Sequence, residues 1–242
     1  MSSLFVPARR FDPEWMDRTD NTPEELDGAL DDIHAVNRFL GGSKTLVEAV
    51  RPFLLAQNVG EPLSVLDVGT GGADLPLDLV AEARRLGRRI RIVAIDRDQV
   101  TLDYARRKTV EAPEIELRAA DAFDLPFAPG SFDLVTASMF LHHFTHDEAV
   151  RLLSSLRRIA RRAVLINDLE RHLVPWAFIT VVARVTRRHP MFVNDAPLSV
   201  LRGFTPAELL AAAREAGATD ATVRDRRPYR LLLTIPGAVE AD

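Results

Sequence analysis

Two adjacent histidines, His142 and His143, and an aspartate, Asp168, each stand just past a short apolar run, where a bound substrate would meet them. Histidine suits proton abstraction because its ordinary pKa is ~6.5, and a nearby carboxylate can orient it or accept a hydrogen bond from a substrate. Upstream, Val65-Leu66-Asp67-Val68-Gly69-Thr70-Gly71-Gly72-Ala73-Asp74 sets a glycine-rich turn between an apolar run and a helical pattern. Glycine is needed where the chain bends sharply and where backbone must approach a ligand without Cβ in the way. Two ligand classes fit such a turn, dinucleotides and adenosyl groups without phosphate. The dinucleotide fingerprint wants glycine three places after Gly71, and this chain has Asp74 there. Asp67, Asp74, Asp96, Asp98, Asp121 and Asp124 all fall in or just after loops at one end of the expected strands, where carboxylates repel a pyrophosphate and welcome a cation. Of these, Asp98 reads as a helix cap and Asp124 as surface charge.

The elements that would position these groups are legible from periodicity. Thr22-Pro23-Glu24-Glu25 is a capping box that opens a helix carrying Leu26, Leu30, Ile33 and Leu40 to the stop at Gly41-Gly42, and Ser43 opens a second helix. From Pro62 onward short apolar runs alternate with helical stretches. Strands are expected at Leu63–Val68, Ile90–Ile95, Ile115–Leu117, Phe132–Ser138 and Ala163–Ile166, with helices over 75–87, 98–109 and 147–160. Thr145-His146-Asp147-Glu148 is a box for the helix over 147–160, a further box, Thr205-Pro206-Ala207-Glu208, opens a late helix, and Ala221–Val223 and Leu231–Thr234 read as closing strands. The alternation predicts an α/β fold built on a mostly parallel sheet with helices on both faces. With no internal repeat or linker, residues 1–242 are read as a single domain: an N-terminal helical cap over 12–57, a core over 62–170, an insertion over 171–204 and a closing helix and strands over 205–236.

Composition narrows the chemistry. Absence of cysteine excludes disulfides, thiolate nucleophiles and Cys-ligated metal, so oxygen and nitrogen groups do whatever is done. A net charge of −4 withholds any chain-wide attraction to nucleic acid or anionic lipid, and no nucleic-acid partner is expected. Only two of the 31 basic residues, Lys44 and Lys108, are lysines, a bias read as base composition and not as chemistry. Met1 to Arg10 lacks the apolar core of a signal peptide and no run reaches the ~20 apolar residues of a membrane span, so a cytoplasmic protein without stable membrane insertion is expected.

The same glycine turn, followed by Ile92-Val93-Ala94-Ile95-Asp96, Ala119-Ala120-Asp121-Ala122 and Phe132-Asp133-Leu134-Val135, resembles the class I S-adenosylmethionine-dependent methyltransferases, four motifs in the right order over Leu63 to Asp168. That resemblance implies a Rossmann-like seven-stranded sheet and S-adenosyl-L-methionine, whose positive charge suits the acidic loops. It implies that Asp67, Gly69 and Gly71 hold the methionine part, that Thr70 and Asp74 also bind the cofactor, and that Asp96, with Arg97 beside it, takes the ribose hydroxyls. Asp121 and Ala122 would meet adenine, and Met139 would pack near the cofactor. Ala73 departs from the family's usual third glycine.

Methyl transfer is a direct displacement that demands alignment and no metal. A phenolic acceptor, with pKa near ~10, would gain from a base, which makes His142, His143 and Asp168 the catalytic candidates. The stretch Leu173–Val185 is apolar nearly all round, so something must cover it. It is read as part of a lid over an apolar pocket, with Trp176, Phe178 and His172 as substrate contacts, against the alternative of a dimer contact or plain core packing. Either a monomer or a homodimer accommodates this. Asn167-Asp168-Leu169, the apolar insertion, Asp195-Ala196-Pro197-Leu198-Ser199-Val200 and Phe204-Thr205-Pro206 are similar to methyltransferases found beside type III polyketide synthases. This resemblance implies O-methylation of a small apolar phenolic or polyketide-like acceptor. A carbon methyltransferase of quinone-biosynthesis type and a non-catalytic adenosyl-binding module are the competing readings. Asn167-Asp168-Leu169-Glu170 lacks the prolines and aromatic residue of amino-group methylation.

Overall fold

The computed structural model describes residues 5–18, 21–39, 42–58, 60–186, 189–226 and 228–238. Leu40 and Gly41, used above to end the first helix, lie outside the described residues. Strands β1 (Leu63–Val68), β2 (Ile90–Asp96), β4 (Phe132–Ser138) and β5 (Ala160–Leu169) are buried along most of their length, as parallel strands covered on both faces must be, while β3 (Ile115–Ala119) is more open. Between and around them lie α1 (Pro23–Phe39), α2 (Lys44–Leu55), α3 (Asp74–Arg85), α4 (Gln99–Thr109), α5 (His146–Ile159), α6 (Leu173–Val185), α7 (Pro190–Arg202) and α8 (Pro206–Glu215), followed by β6 (Thr222–Arg226) and β7 (Arg230–Pro236). The boxes at Thr145/Glu148 and Thr205/Glu208 form in full, each threonine accepting from the N3 amide and each glutamate from the cap amide.

The seven strands run in the order β3-β2-β1-β4-β5-β7-β6, and β7 lies antiparallel between β5 and β6. This is the expected Rossmann-like, mostly parallel sheet with helices on both sides. One core packs Leu66, Val68, Val135 and Ile166 with α5 and α8; the other packs Val65, Ile92 and Leu134 with α2 and α3. Strand β5 runs longer than its apolar run suggested, because Ala163 to Leu169 pair in register with Pro236 to Arg230 and draw polar residues into the ladder. Strands β1 and β4 are neighbours in space although β2 and β3 separate them in sequence. Their following loops diverge and leave a crevice at the carboxyl edge of the sheet.

The first loop of that crevice depends on Gly69. Its φ of +66° is in the left-handed region, and a Cβ there would stand 2.2 Å from Cδ2 of Phe140. Ala73, where a third glycine was expected, also sits left-handed, at φ 61°, and caps α3 fully buried.

Above the carboxyl edge, α1, α6 and α7 pack together. Ile179, Ala183, Phe192 and Val200 form a cluster joined by Ile33, and Leu26 and Ala29 meet Met191. The beginning of the expected helical cap takes a different form: residues 9–14 run as an extended strap and Trp15–Asp17 make a single 3-10 turn before α1 begins. Side chains from α7 and backbone bonds hold this strap. Asp195 accepts from the amides of Trp15 (2.8 Å) and Met16 (2.9 Å), and the Arg10 amide donates to the Leu201 carbonyl at 3.1 Å. Helix α6 is covered on one side only; Val174, Phe178, Val181 and Val185 remain 48%, 49%, 60% and 74% exposed.

Gly69→Ala should cost about 2–4 kcal/mol, combining left-handed strain with displacement of Phe140. Gly87→Ala, at φ +63° with nothing within 4 Å of the new Cβ, carries only the first part, about 1–2 kcal/mol. Urea denaturation of the two variants beside the parent chain measures the difference, and equal losses would show that the Phe140 contact is inconsequential.

Candidate active site

A cavity of about 1180 Å³ runs from the glycine turn to the underside of the cap. One end is acidic. Asp67 is 2% exposed at the tip of β1, where it accepts from the Thr136 hydroxyl at 2.7 Å, and burial pushes its carboxyl up to about 6. Asp96 ends β2, with one oxygen accepting the Gly71 amide at 3.0 Å and the other the Asp98 amide at 3.1 Å. Burial raises its pKa against the pull of these two amides. Asp96 therefore ties the glycine turn to β2 while its carboxylate still lines the cavity. Asp98 caps α4 through the Thr101 amide at 2.7 Å, as its position suggested.

Gly69, Thr70, Gly71, Asp74, Arg97, Asp121, Ala122 and Met139 line the same cavity. Asp74 stands 3.7 Å from Lys108, and Arg97, 71% exposed, stands 3.9 Å from Asp17. Asp121 accepts the Phe123 amide at 2.9 Å, a local turn that presents Ala122. Met139 adopts a left-handed φ of 55° immediately after β4, with its amide on the Asn167 carbonyl at 2.8 Å and its sulfur against the buried Arg230. Burial pulls the Arg230 guanidinium down to about 10 against the charge of Asp168. Glycine amides, buried carboxylates and an open space over Gly71 suit hydroxyl and ammonium groups, so these residues fit a nucleoside that carries positive charge better than one that carries phosphate.

The other end holds the histidines. The 3-10 turn Leu141–His143 follows β4, and Asp168, fully buried in β5, binds it twice: one oxygen accepts the His142 amide at 2.9 Å, the other the His142 Nδ1–H at 2.6 Å. The second oxygen also accepts the Leu169 amide at 2.7 Å. Burial alone would raise the Asp168 carboxyl, but the charge and hydrogen bonds of His142 outweigh it and hold it below the ordinary value. With Nδ1–H assigned to Asp168 by this network, the lone pair of neutral His142 lies on Nε2, toward the cavity.

Sequence reasoning missed what faces that nitrogen. Glu14 of the strap, 1% exposed, places Oε1 3.7 Å from His142 Nε2. Burial pushes its carboxyl up to about 7, opposed by the charges of His143 and Arg202 and by a hydrogen bond from Ser199. Asp17, one helical turn later in the chain, meets His143 Nδ1 at 3.2 Å. Buried Arg202 donates to the carbonyls of His142 (3.3 Å), His143 (2.7 Å) and Asp12 (2.8 Å), so a single guanidinium fastens the histidine turn to the strap. Ligand-capable atoms of Glu14, His142 and His143 lie within 4.8 Å of one another, yet Arg202 Nε stands 3.8 Å from the same Glu14 oxygen and already supplies positive charge there.

The cap contributes apolar lining through Leu30, Ile33, Phe178, Ile179, Phe192 and Val200. Of the three substrate candidates, Phe178 reaches the cavity. Trp176 packs instead against the Ile179 cluster. His172 accepts the Val174 amide at 3.1 Å and stacks on Tyr229, outside the lining. No helix among the described residues is long and apolar enough to cross a membrane.

Comparison with known proteins finds methyltransferases similar to this chain. Residues 65–163 match a family model described as a methyltransferase domain. The chain is 32% identical over 105 residues to a 2-phytyl-1,4-naphtoquinone methyltransferase of Thermosynechococcus vestitus, a stretch covering 43% of this chain and 45% of that protein. It is 29% identical over 113 residues to a demethylmenaquinone methyltransferase of Staphylococcus saprophyticus, covering 47% and 46%. The aligned stretch thus spans less than half of these curated relatives. Among solved structures, a SAM-dependent methyltransferase from Aquifex aeolicus superposes with a TM-score of 0.58 at 16% identity, over 90% of this chain and 99% of that one. The magnesium protoporphyrin IX methyltransferase of Synechocystis with bound SAM gives 0.53 at 16%, over 81% and 80%. The fold is that of these solved structures, and the matched stretch of the chain is similar to methyltransferase domains.

The buried Glu14 has a consequence for stability. A carboxyl raised from its ordinary 4.5 to about 7 stabilises the fold fully below 4.5 and loses that contribution as pH rises through 7. Relative to Glu14→Gln, the parent chain should therefore lose unfolding free energy between about pH 4.5 and pH 7; a difference flat across that range, measured by denaturant titration, would place Glu14 in water.

Proposed function

We propose that the chain is an S-adenosylmethionine-dependent methyltransferase that methylates the hydroxyl of a small, apolar aromatic acceptor. The observation that carries this reading is the 2.6 Å bond between buried Asp168 and His142, set where the acidic crevice meets the apolar space under α6 and α7. S-adenosyl-L-methionine, when bound, supplies an electrophilic methyl group on a positively charged sulfur. Asp96 and the amides of the glycine turn hold its nucleoside and amino-acid parts, and Asp121 and Ala122 border the base. Asp168 fixes the tautomer and direction of the His142 ring, so that Nε2 receives the proton of the acceptor hydroxyl. Phe178, Ile179, Phe192 and Val200 exclude water and hold the aromatic body, which raises the effective concentration of the aligned hydroxyl. A nucleoside diphosphate would face Asp67, Asp74 and Asp96 with like charge.

The quinone-type relatives support a second reading, transfer to a ring carbon. Deprotonating a phenol also enriches its ring carbons in electron density, so the same histidine serves both outcomes. Fragmentation of the product by mass spectrometry separates an aryl ether from a methylated ring.

Asp96→Ala should weaken adenosylhomocysteine binding by about 2–3 kcal/mol, the value of a lost pair of charge-assisted hydrogen bonds; unchanged affinity by calorimetry would remove Asp96 from the site. Asp168→Asn should lower the rate of labelled methyl transfer to 1-naphthol or 5-pentylresorcinol by about 10²-fold or more while the adenosylhomocysteine affinity stays near that of the parent. Equal loss of both would make Asp168 a fold residue only.

A further inference from the structure

We infer that Glu14, delivered by the N-terminal strap, is a catalytic residue that shares with His142 the proton leaving the acceptor hydroxyl. The inference rests on the methyl-transfer reading above and adds to it the group that finally holds the proton. His142 does not face that proton alone: Asp168 holds its Nδ1, and its Nε2 faces a cavity wall formed by the Glu14 carboxyl 3.7 Å away. An acceptor hydroxyl approaching from the cavity, to the side of the line joining these two atoms, comes within reach of both. The balance is closed by this pair. The acceptor oxygen forms a bond to the methyl carbon, the carbon–sulfur bond breaks with its electrons left on sulfur, and the hydroxyl proton ends on the Glu14 carboxylate directly or through His142. One positive charge disappears from sulfur and one negative charge from Glu14, so a dry pocket is left without net charge change.

Three surroundings of Glu14 fit this role. Ser199 Oγ lies 2.9 Å from Glu14 Oε1 and 2.9 Å from the Asp195 carbonyl, and its single proton can serve only one of them. With Glu14 ionised, Ser199 donates to it; with Glu14 protonated, Glu14 donates to Ser199, whose proton turns to Asp195. The same contact therefore accommodates both protonation states. Arg202, 3.8 Å from Glu14 Oε1, favours the ionised form before transfer, while burial favours the acid after it. The remaining titratable groups facing the pair, His143 and Asp17, are bonded to each other at 3.2 Å, and the charge of His143, like that of Arg202, favours the ionised Glu14 before transfer. Asp195 is the fixture that keeps Glu14 in place, through the amides of the two residues that follow it.

The test uses the full chain with S-adenosylmethionine and two probe acceptors, 1-naphthol and 5-pentylresorcinol, across pH 5 to 9. Glu14→Gln should lower kcat by about 10²-fold, leave the adenosylhomocysteine Kd within about twofold, and displace the acidic limb of the kcat profile relative to the parent's; Glu14→Asp should restore part of the rate. Should Glu14→Gln fold poorly, Ser199→Ala provides the same information: losing the hydrogen bond that favours the ionised carboxyl should move the acidic limb to higher pH, which loss of packing alone would not do. Parental kcat and an unmoved limb in both variants overturn the inference and leave the methyl-transfer reading standing. A parent chain that binds adenosylhomocysteine but methylates neither probe overturns both.

Discussion

A carboxylate without solvent exposure, Asp168, is the point on which the site is built. It satisfies three donors at once, the amide and ring of His142 and the amide of Leu169, and so locks the loop after β4 to the end of β5. Burying a charge is costly unless it is paired and hydrogen-bonded. Here the donors that offset that cost are the same groups that orient the histidine, so the energetics of the fold and the geometry of the site are one arrangement. Arg230, at the start of the antiparallel β7, is a second buried positive charge that feels Asp168.

The crevice and the chamber divide the work by polarity. Around the glycine turn the lining is carboxylates and backbone amides held by short local hydrogen bonds, and β1, β2 and β4 position them through parallel register. Under the cap the lining is aliphatic and aromatic, supplied by α1, α6 and α7. A polar, charged ligand and an apolar one are thereby drawn to adjoining places, with His142 between them.

The strap joins both halves. Its bonds run to α7 through Asp195, Ser199 and Arg202, and to the histidine turn through Arg202 and Asp17. Arg9 adds bonds to the Arg202 and Phe144 carbonyls and lies over the Phe204 ring at 3.7 Å. Residues that the sequence shows as separate fragments, Glu14 to Asp17, His142-His143 and Asp195 to Arg202, form one connected set of polar contacts.

Much of this was legible in the sequence wherever the physics is local. The capping boxes at Thr145 and Thr205, the left-handed glycine at the end of β1 and the apolar runs of β1, β2 and β4 depend on neighbours a few residues away, so spacing alone announces them. His142 and Asp168 stood out because each follows an apolar run whose far end must border the crevice, although β5 extends far enough to include Asp168 itself. The role of Glu14 did not, since nothing near it in the chain distinguishes it from a surface glutamate; its burial depends on partners far along the chain, with Asp195, 181 residues on, fixing the amides beside it and Ser199 and Arg202 binding the strap. Trp176 and His172 show the reverse: an apolar run indicates that a helix needs cover, but which of its side chains face the cavity depends on how α6 rotates against α7. Sequence determined the scaffold and the acidic turn through short-range sterics and periodicity, and tertiary structure decided the partners of the histidines, because burial and pairing of charge are properties of chains brought together from afar.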